Sequence, residues 1–465
     1  MTPNDWTLIV LALVAVACLV LLVTRWHVNG FIALALASLG VGAAAVAMRV
    51  LPRGAGVPLS LLDVVDGFGL GLGRTLGGVS AVIALGTMLG RMLADSGGAE
   101  VLARRFAAFF GPARVVWCVM ALGFAVGLTT WFVVGLTLLT PVLLTLTRET
   151  GRPLLHLAIP MLACLSIMHG LMPPHPGPVA ALAAFRDLQP NMGLVLVWGA
   201  VIGLPTALLA GPVFARRAAR LVATPPPEAG LATSRDNAVP PPFGLTMFSI
   251  FLPVLLMLLD TAARLTLAPA ARLARVAGFV GHPTIAMLVA VLFAAWSLGT
   301  RCGHTSRRVL KTTEDAASAV GMVLLVVGAG GGFGAVLQSA GVADAMGRLA
   351  TMLGLPVLIY GWAVAAFIRV ATGSATVSIV TASGLLAPVA SASPGTNVEL
   401  LIIAIGCGSL ILSLPNDGGF WVVKDCLGLS VEQTLRTWTV TETIIGLAGL
   451  LVTVAVHAIW LALTR

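Results

Sequence analysis

Residues His169–Pro178, HGLMPPHPGP, interrupt a long apolar stretch with four prolines in ten positions. Proline removes a backbone donor and clashes with the preceding helical turn, so a regular helix does not continue through this segment. Irregular backbone at membrane depth is tolerated only where it lines a cavity or is buried in protein. The segment therefore predicts a helix that is broken inside a membrane domain.

The composition of the whole chain agrees with this. Of its 465 residues, 58% are hydrophobic and only 10% are charged, whereas soluble chains are about 25% charged. The mean hydropathy is +1.02, which excludes a soluble enzyme. At roughly 20 residues per span, we expect an all-α polytopic membrane protein with about 10–14 helical segments.

The charge balance and the cysteines narrow the expected partners. The net charge of +9 fits the excess of Lys and Arg on cytoplasmic loops of membrane proteins. No nucleic-acid motif accompanies it, so we expect a lipid bilayer around the chain and no nucleic acid. The six cysteines are widely separated and form no C-x-x-C pair, which indicates buried free thiols and no metal site.

An internal repeat organises the chain. At an offset of 244 residues the aligned positions are Gly90 with Gly334, Pro112 with Pro356, and Thr129–Thr130 with Gly373–Ser374. Such repeats are typical of secondary transporters, in which the substrate binds at the repeat interface on broken helices. We therefore expect two inverted repeats with re-entrant hairpins and broken helices. The alternative is a duplicated packing unit that transports nothing.

Shifts in composition predict the regional boundaries. The expected regions are N-terminal helices at 1–60, a first transport repeat at 61–215, a proline-rich cytoplasmic linker at 216–243, linking helices with a basic loop at 244–315, and a second transport repeat at 316–465. Basic clusters before and after the two linking spans favour a cytoplasmic linker. Arg264, Arg272 and Arg275 lie between those spans and argue for the opposite orientation.

The first polar tract in the membrane is Gly127–Pro141, GLTTWFVVGLTLLTP. A broken helix here would expose backbone N–H groups and a positive dipole end, both of which favour an anion. Thr129 and Thr130 are therefore candidate substrate-binding residues. The alternative is that these hydroxyls bind their own helix backbone.

The second polar tract is Arg369–Gly384, RVATGSATVSIVTASG. Gly373, Ser374 and Thr376 are candidate contacts for a hydroxylated solute, and Arg369 for its carboxylate. An arginine within a span is costly and is by default a functional candidate. The alternative is an arginine that snorkels to the interface from the end of a span.

Three titratable residues are candidates for proton coupling. His169 and His175 flank the proline segment, and histidine titrates near neutral pH. Asp417 lies in SLPNDGGFW after a long apolar run, where an acid is expensive unless it is paired, protonated or functional; Asn416 beside it is a candidate substrate contact. The alternatives are histidines that only hydrogen-bond and an aspartate that caps a helix.

Signatures of enzymes are missing from the sequence. It contains no H-E-x-x-H, no G-x-S-x-G and no Walker A loop, so we expect no enzyme and no cofactor. The glycine run Gly328–Gly334, GAGGGFG, does not match G-x-G-x-x-G and indicates a re-entrant turn or close packing. Transport would then be driven by an ion or solute gradient.

Four stretches resemble the gluconate permease family of bacterial inner-membrane sugar-acid:proton symporters. They are His169–Pro178, RVATGSAT at Arg369–Thr376, NDGGFW at Asn416–Trp421, and QTLRTWTVTE at Gln433–Glu442. The likeness extends over about residues 75–455. It implies inverted repeats, elevator-like movement, and proton-coupled uptake of gluconate or a related small hydroxycarboxylate across the bacterial inner membrane.

Alternatives within the same class are sodium-coupled transport, or passive transport of a different small organic anion. Hydroxyls and backbone carbonyls at broken helices also suit Na⁺. The expected partners are thus a small organic anion and a proton, with Na⁺ as the alternative ion and a homodimer as a candidate assembly.

Three positions depart from the family pattern. Val133 occupies a position that is usually acidic, Leu414 one that is often histidine, and Gly418 one that is typically serine. Two ionisable groups are thereby lost near the expected site. We therefore expect a more apolar site and a smaller or less hydroxylated solute, such as a glycerate-like carboxylate.

Overall fold

The computed structural model describes residues 2–48, 59–222, 239–268, 270–342, 345, 348–349, 352, 354, 356–393, 395–415 and 417–464. These residues form helices and loops and contain no β-strand. Ten of the described helices are long and apolar enough to cross a membrane. The predicted all-α polytopic fold is therefore confirmed. Most of the predicted linker, and Asn416, lie outside the described residues.

The chain begins with α1 (Pro3–Thr24) and α2 (Gly30–Ala47). The next helices are α3 (Leu61–Asp95), α4 (Gly98–Phe110), α5 (Val115–Gly127), α6 (Phe132–Thr150), α7 (Leu154–Leu171), α8 (Pro176–Ala184), α9 (Met192–Leu208) and α10 (Phe214–Leu221). The connecting helices are α11 (Phe243–Thr266), α12 (Arg272–Val280) and α13 (Pro283–Ala294). The remaining helices are α14 (Ser306–Ser339), α15 (Val357–Thr372), α16 (Ala375–Ser391), α17 (Val398–Leu410), α18 (Gly418–Leu427), α19 (Val431–Thr434) and α20 (Val440–Thr464).

Helix boundaries in the two halves correspond at the offset of 244 residues to within one residue. The matched boundaries are the starts of α3 and α14 at Leu61 and Ser306, the ends of α5 and α15 at Gly127 and Thr372, and the starts of α7 and α17 at Leu154 and Val398. The two halves thus have helix boundaries at matching positions, and the two transport repeats stay a prediction. The inversion of one half relative to the other stays a prediction.

The long helices α3 and α14 pack along each other through small residues. A Cβ at Gly331 would meet Thr75 Oγ1 at 1.9 Å, and one at Gly330 would meet the Val380 side chain at 1.6 Å. Both glycines lie inside a continuous helix, so the run Gly328–Gly334 serves close packing and makes no turn. The run Gly67–Gly73 likewise lies within α3.

Four helix breaks occur at corresponding positions in the two halves. They are Leu128–Trp131 between α5 and α6, Met172–His175 between α7 and α8, Gly373–Ser374 between α15 and α16, and Ile411–Asp417 between α17 and α18. In the first half, α5 and α6 pack as a hairpin against α7. In the second half, α15 and α16 pack in the same way against α17. Most residues of the span Leu154–Ala184 are buried, so the break between α7 and α8 lies in the interior of the molecule.

Local sequence explains why the chain breaks at these points. Gly373 adopts φ +70°, a left-handed conformation that side chains disfavour, and it ends α15. Ser374 then caps α16 by accepting a hydrogen bond from the Val377 amide at 3.3 Å. In the first half, Pro173 to Pro178 prevent α7 from continuing directly into α8.

Candidate functional site

The centre of the candidate site is an ion pair that joins the two breaks of the second half. Arg369, in the last turn of α15, donates from Nη2 to Asp417 Oδ2 at 2.5 Å and from Nη1 to the Gly373 carbonyl at 2.5 Å. Arg369 is 3% exposed, so its guanidinium does not snorkel to an interface. Its Nε has no hydrogen-bond partner among the described residues.

Asp417 is held by contacts on both carboxylate oxygens. Oδ1 accepts from the Gly419 amide at 2.8 Å and caps α18, while Oδ2 also accepts from the Ser413 hydroxyl. The helix-cap alternative is therefore correct, but the cap coexists with the Arg369 pair. Both oxygens are already occupied by strong donors, so this carboxylate is a fixed part of the site.

An aromatic contact ties this pair to the first half. Trp438 donates from its indole N–H to Ser413 Oγ at 2.8 Å. The same ring stacks on Phe132, the first residue of α6, with centroids 5.0 Å apart. The break that holds Asp417 and the hairpin of the first half are thus braced against one another.

The two histidines lie next to each other and have different surroundings. His175 Nε2 donates to the Gly127 carbonyl at 2.6 Å, which joins the two breaks of the first half. The His169 ring packs edge-on against His175 at 5.4 Å, and its Nδ1 is buried without a hydrogen-bond partner among the described residues. His175 therefore holds the structure together at this point, whereas His169 retains an unused nitrogen near Arg369.

The predicted hydroxyl groups are placed at the breaks but are differently engaged. Thr129 and Thr130 are buried at the α5–α6 break, and both donate to the Val126 carbonyl, at 3.5 and 2.8 Å. The own-helix alternative thus describes these hydroxyls, and their contact with substrate stays a prediction. Ser374 and Thr376 lie half-buried at the start of α16.

The positions that depart from the family pattern lie at the edge of this cluster. Val133, in the first turn of α6, is 42% exposed, so its side chain does not belong to the buried group around Arg369. Leu414 is half-buried in the α17–α18 break. The positions at which the family usually has an acid and often has a histidine are therefore not part of the buried Arg369–Asp417 ion pair.

Three residues of the buried cluster were missed by the sequence analysis. Ser413 and Trp438 form the support of Asp417, and Glu442 lies on α20 with 1% of its surface exposed. All three fall within or beside the stretches that resemble the family, but serine and tryptophan carry no charge signal. Glu442 offered the clearest signal, since it is an acid inside an apolar span.

A spacious cavity lies away from the ion pair. It measures about 440 Å³ between α3, α14, α16 and the end of α8, and Arg74, Arg186 and Gln338 line it. Its lining does not include Arg369, Asp417 or the histidines. From Ser374, the cavity residue Gly384 is about 15 Å away along α16. In the described part of the chain, no group of three His, Cys, Asp or Glu side chains could hold a metal ion.

Comparison with known proteins places this arrangement in a family. The sequence model described as GntP family permease matches residues 6–459. The chain is 39% identical over 450 residues to the gluconate permease of Pseudomonas aeruginosa, covering 96% of this chain and 97% of the relative. It is also 39% identical over 466 residues to that of Zymomonas mobilis, covering 99% and 100%. The D-serine transporter DsdX of Escherichia coli is 33% identical over 447 residues, with coverage of 94% and 96%.

The fold also has a solved counterpart. The YdaH transporter of Alcanivorax borkumensis superposes with a TM-score of 0.62 at 16% identity, covering 93% of this chain and 98% of that one. At this identity the likeness shows the fold alone. The resemblance found in the sequence is confirmed by the family match and by the full-length relatives. The chain therefore belongs to the GntP family of permeases, as a multi-pass inner-membrane transporter and not an enzyme.

Proposed function

We propose that this permease takes up gluconate or a related small hydroxycarboxylate, such as another sugar acid or a glycerate-like solute, together with a proton. The observation that carries the proposal is Arg369, a buried cation at a hairpin tip. Its Nε–H has no partner among the described residues, so it can donate to a carboxylate. A permanent charge inside a membrane protein is retained mainly where it meets a ligand or a counter-charge.

The first half would complete the anion site with backbone groups. The N-termini of α6 and α8 carry no side-chain cap. The amide N–H groups and positive dipole end of α6 favour an anion, whereas in the first three residues of α8 only Gly177 has an amide N–H, because Pro176 and Pro178 have none. Half-buried Ser374 and Thr376 offer hydroxyls to the solute from the facing hairpin. Gluconate and D-serine, named for relatives of this chain, both carry a carboxylate and a hydroxyl.

Charge balance favours coupling to a cation. Arg369 is already paired with Asp417, so an incoming carboxylate adds one unbalanced negative charge to a buried site. Burying an uncompensated charge is costly, and a co-transported proton offsets it without needing extra space. Na⁺ at the broken helices is the alternative, and a passive carrier would need no coupled ion.

Access to the site requires movement, because Arg369, Asp417 and His175 are all less than a tenth exposed. We propose that residues 61–215 and 316–465 act as two inverted transport repeats. On this proposal the hairpins and broken helices move as a unit, in the manner of an elevator. The long pair α3 and α14, locked by glycine contacts, would then act as a rigid support.

Uptake into proteoliposomes tests the proposal. With an inward proton gradient and choline in place of Na⁺, we expect radiolabelled gluconate or glycerate to accumulate above equilibrium, and a protonophore to abolish the accumulation. Arg74→Lys, at an exposed position, provides a matched basic-residue control and should leave uptake unchanged. Accumulation that requires Na⁺, or that never exceeds equilibrium, would contradict proton coupling.

A further inference from the structure

Glu442 is a buried acid that forms no ion pair of its own, because the nearby Arg369 is paired with Asp417. It lies two residues after the start of α20 and is 1% exposed, and its Oε1 has no hydrogen-bond partner among the described residues. The Ser166 hydroxyl of α7 lies beside its carboxyl group, and Arg369 and Asp417 lie within range of electrostatic interaction. The acid thus belongs to the same buried cluster as the proposed substrate site.

The surroundings of Glu442 contain one cation and one other acid. Arg369 faces it from α15 and Asp417 from the α17–α18 break. On α7, His169 lies one turn beyond Ser166. The neighbouring helix α9 has no charged or titratable side chain. On α17 the titratable side chains are Glu399, which accepts from the Asn191 backbone amide, and the buried thiol of Cys407. Among the described residues that act on Glu442, Arg369 is thus the one permanently charged cation.

Asp417 takes up that single positive charge through a direct hydrogen-bonded ion pair. Its other contacts are donated by the Ser413 hydroxyl and the Gly419 amide, so both of its oxygens accept hydrogen bonds. A second carboxylate in the same buried volume would be an unbalanced anion, which is expensive in a membrane protein. The two acids therefore have separate tasks, one fixed in an ion pair and one free to bind and release a proton.

We propose that Glu442, and not Asp417, carries the proton that is transported with the organic anion. The proposal rests on a buried carboxyl group whose Oε1 has no hydrogen-bond partner among the described residues. The arginine within electrostatic range of it, Arg369, is already paired with Asp417. In the outward-open state, a proton from water binds Oε1; after the site opens inward, the same O–H bond breaks and the proton passes to cytoplasmic water. This inference rests on the proposed proton-coupled function and names the residue that performs the coupling.

Transport by Glu442→Gln tests the assignment, because glutamine keeps the shape of a protonated glutamate and cannot release a proton. In proteoliposomes with equal pH on both sides, we expect the variant to exchange internal for external gluconate within about threefold of wild type. With an inward proton gradient, it should not accumulate gluconate above equilibrium. Glu442→Asp should restore part of the accumulation, and Glu149→Gln, at an exposed glutamate of α6, should behave as wild type.

Different failures have different meanings. If wild type exchanges gluconate but never accumulates it in a proton gradient, the proposed proton coupling is wrong. If wild type accumulates gluconate and Glu442→Gln does so equally, only the assignment to Glu442 is wrong. Loss of exchange as well as accumulation in a folded Glu442→Gln protein would also overturn it, since that result assigns the residue to substrate binding.

A chemical measurement keeps the test decisive if Glu442→Gln does not fold. Dicyclohexylcarbodiimide modifies carboxylic acids in apolar surroundings: the acid proton moves to a carbodiimide nitrogen, and the carboxyl oxygen adds to its central carbon. In the wild-type protein we expect mass spectrometry to find the adduct on Glu442, decreasing as pH rises, and not on Asp417. Modification of Asp417 in preference to Glu442 would reverse the assignment.

Discussion

The two halves of this permease share a helical plan but hold their breaks together by different chemistry. In the second half, Arg369 and Asp417 form a buried ion pair across the breaks, and Ser374 and Asp417 cap the helices that follow. In the first half, a hydrogen bond from His175 to the Gly127 carbonyl joins the two breaks. The helices after the first-half breaks begin without side-chain caps.

This difference indicates that the two halves, although similar in their helices, contribute different groups to the site. The second half brings fixed charge to the site and satisfies its own helix ends. The first half leaves the N-terminal amide groups of α6, and the single Gly177 amide in the first three residues of α8, without a side-chain cap, and such groups are what an anionic ligand needs. Breaking each contact separately should therefore affect the two halves unequally, and the expected effects are ordered below from largest to smallest.

Removing the cation should have the largest effect. Arg369→Gln leaves Asp417 as an unpaired buried carboxylate, and breaking one partner of a buried pair costs about 3 to 5 kcal/mol. It also removes the countercharge for the substrate, so we expect gluconate exchange to fall about a hundredfold or more. Thermal unfolding in detergent and exchange in proteoliposomes measure the two effects. A stable, active Arg369→Gln protein would refute both roles.

Cutting the neutral link of the first half should cost less. His175→Ala leaves the Gly127 carbonyl unsatisfied, with an expected loss of about 1 to 3 kcal/mol and roughly a tenfold decrease in exchange. His169→Ala is the matched control, because His169 Nδ1 makes no hydrogen bond that would be lost. Equal stability losses in both variants would show that ring packing, and not the His175 hydrogen bond, holds this break.

The left-handed glycine at the second hairpin tip comes next. Gly373→Ala places a side chain at φ +70°, which costs about 1 to 2 kcal/mol. Gly418→Ala is the control, because a Cβ there would meet no atom within 4 Å and its φ is not left-handed. Comparison of the two melting temperatures should show a decrease only for Gly373→Ala; an equal decrease would contradict the strain argument.

The smallest effect is expected at the first hairpin tip. Thr130 donates to the Val126 carbonyl of its own helix, so Thr130→Val should reduce stability by less than about 1 kcal/mol and change exchange less than about threefold. Ser374→Ala is the corresponding change in the second half, where the hydroxyl caps α16. A loss above tenfold for Thr130→Val would instead assign substrate contact to this hydroxyl.

The sequence predicted those features that local patterns determine. Apolar runs located the long spans, prolines located the α7–α8 break, and the isolated Arg369 and Asp417 were recognised from their cost in lipid. The pattern did not show that they pair, because 48 residues separate them and only tertiary packing brings them together. The glycine runs were ambiguous for the same reason, since close packing and turns use the same residue.

Short helices and uncharged supports were also beyond local patterns. Helix α8 has nine residues between proline-rich and polar segments, too few for a periodic signal. Val133 was expected near the site, but it points to a more exposed position because helix rotation depends on tertiary contacts. Glu442 ends the family-like stretch Gln433–Glu442, but only the fold buries it within electrostatic range of Arg369.

The central claim is that Arg369 serves both the fold and the substrate, and the double variant Arg369→Gln/Asp417→Asn tests it most directly. Replacing both partners removes the unpaired charge, so the double variant should recover most of the thermal stability lost in Arg369→Gln. Gluconate exchange should nevertheless remain at the low level of the single variant, because no cation is left for the carboxylate. A double variant that exchanges gluconate at the wild-type rate would show that Arg369 only balances Asp417.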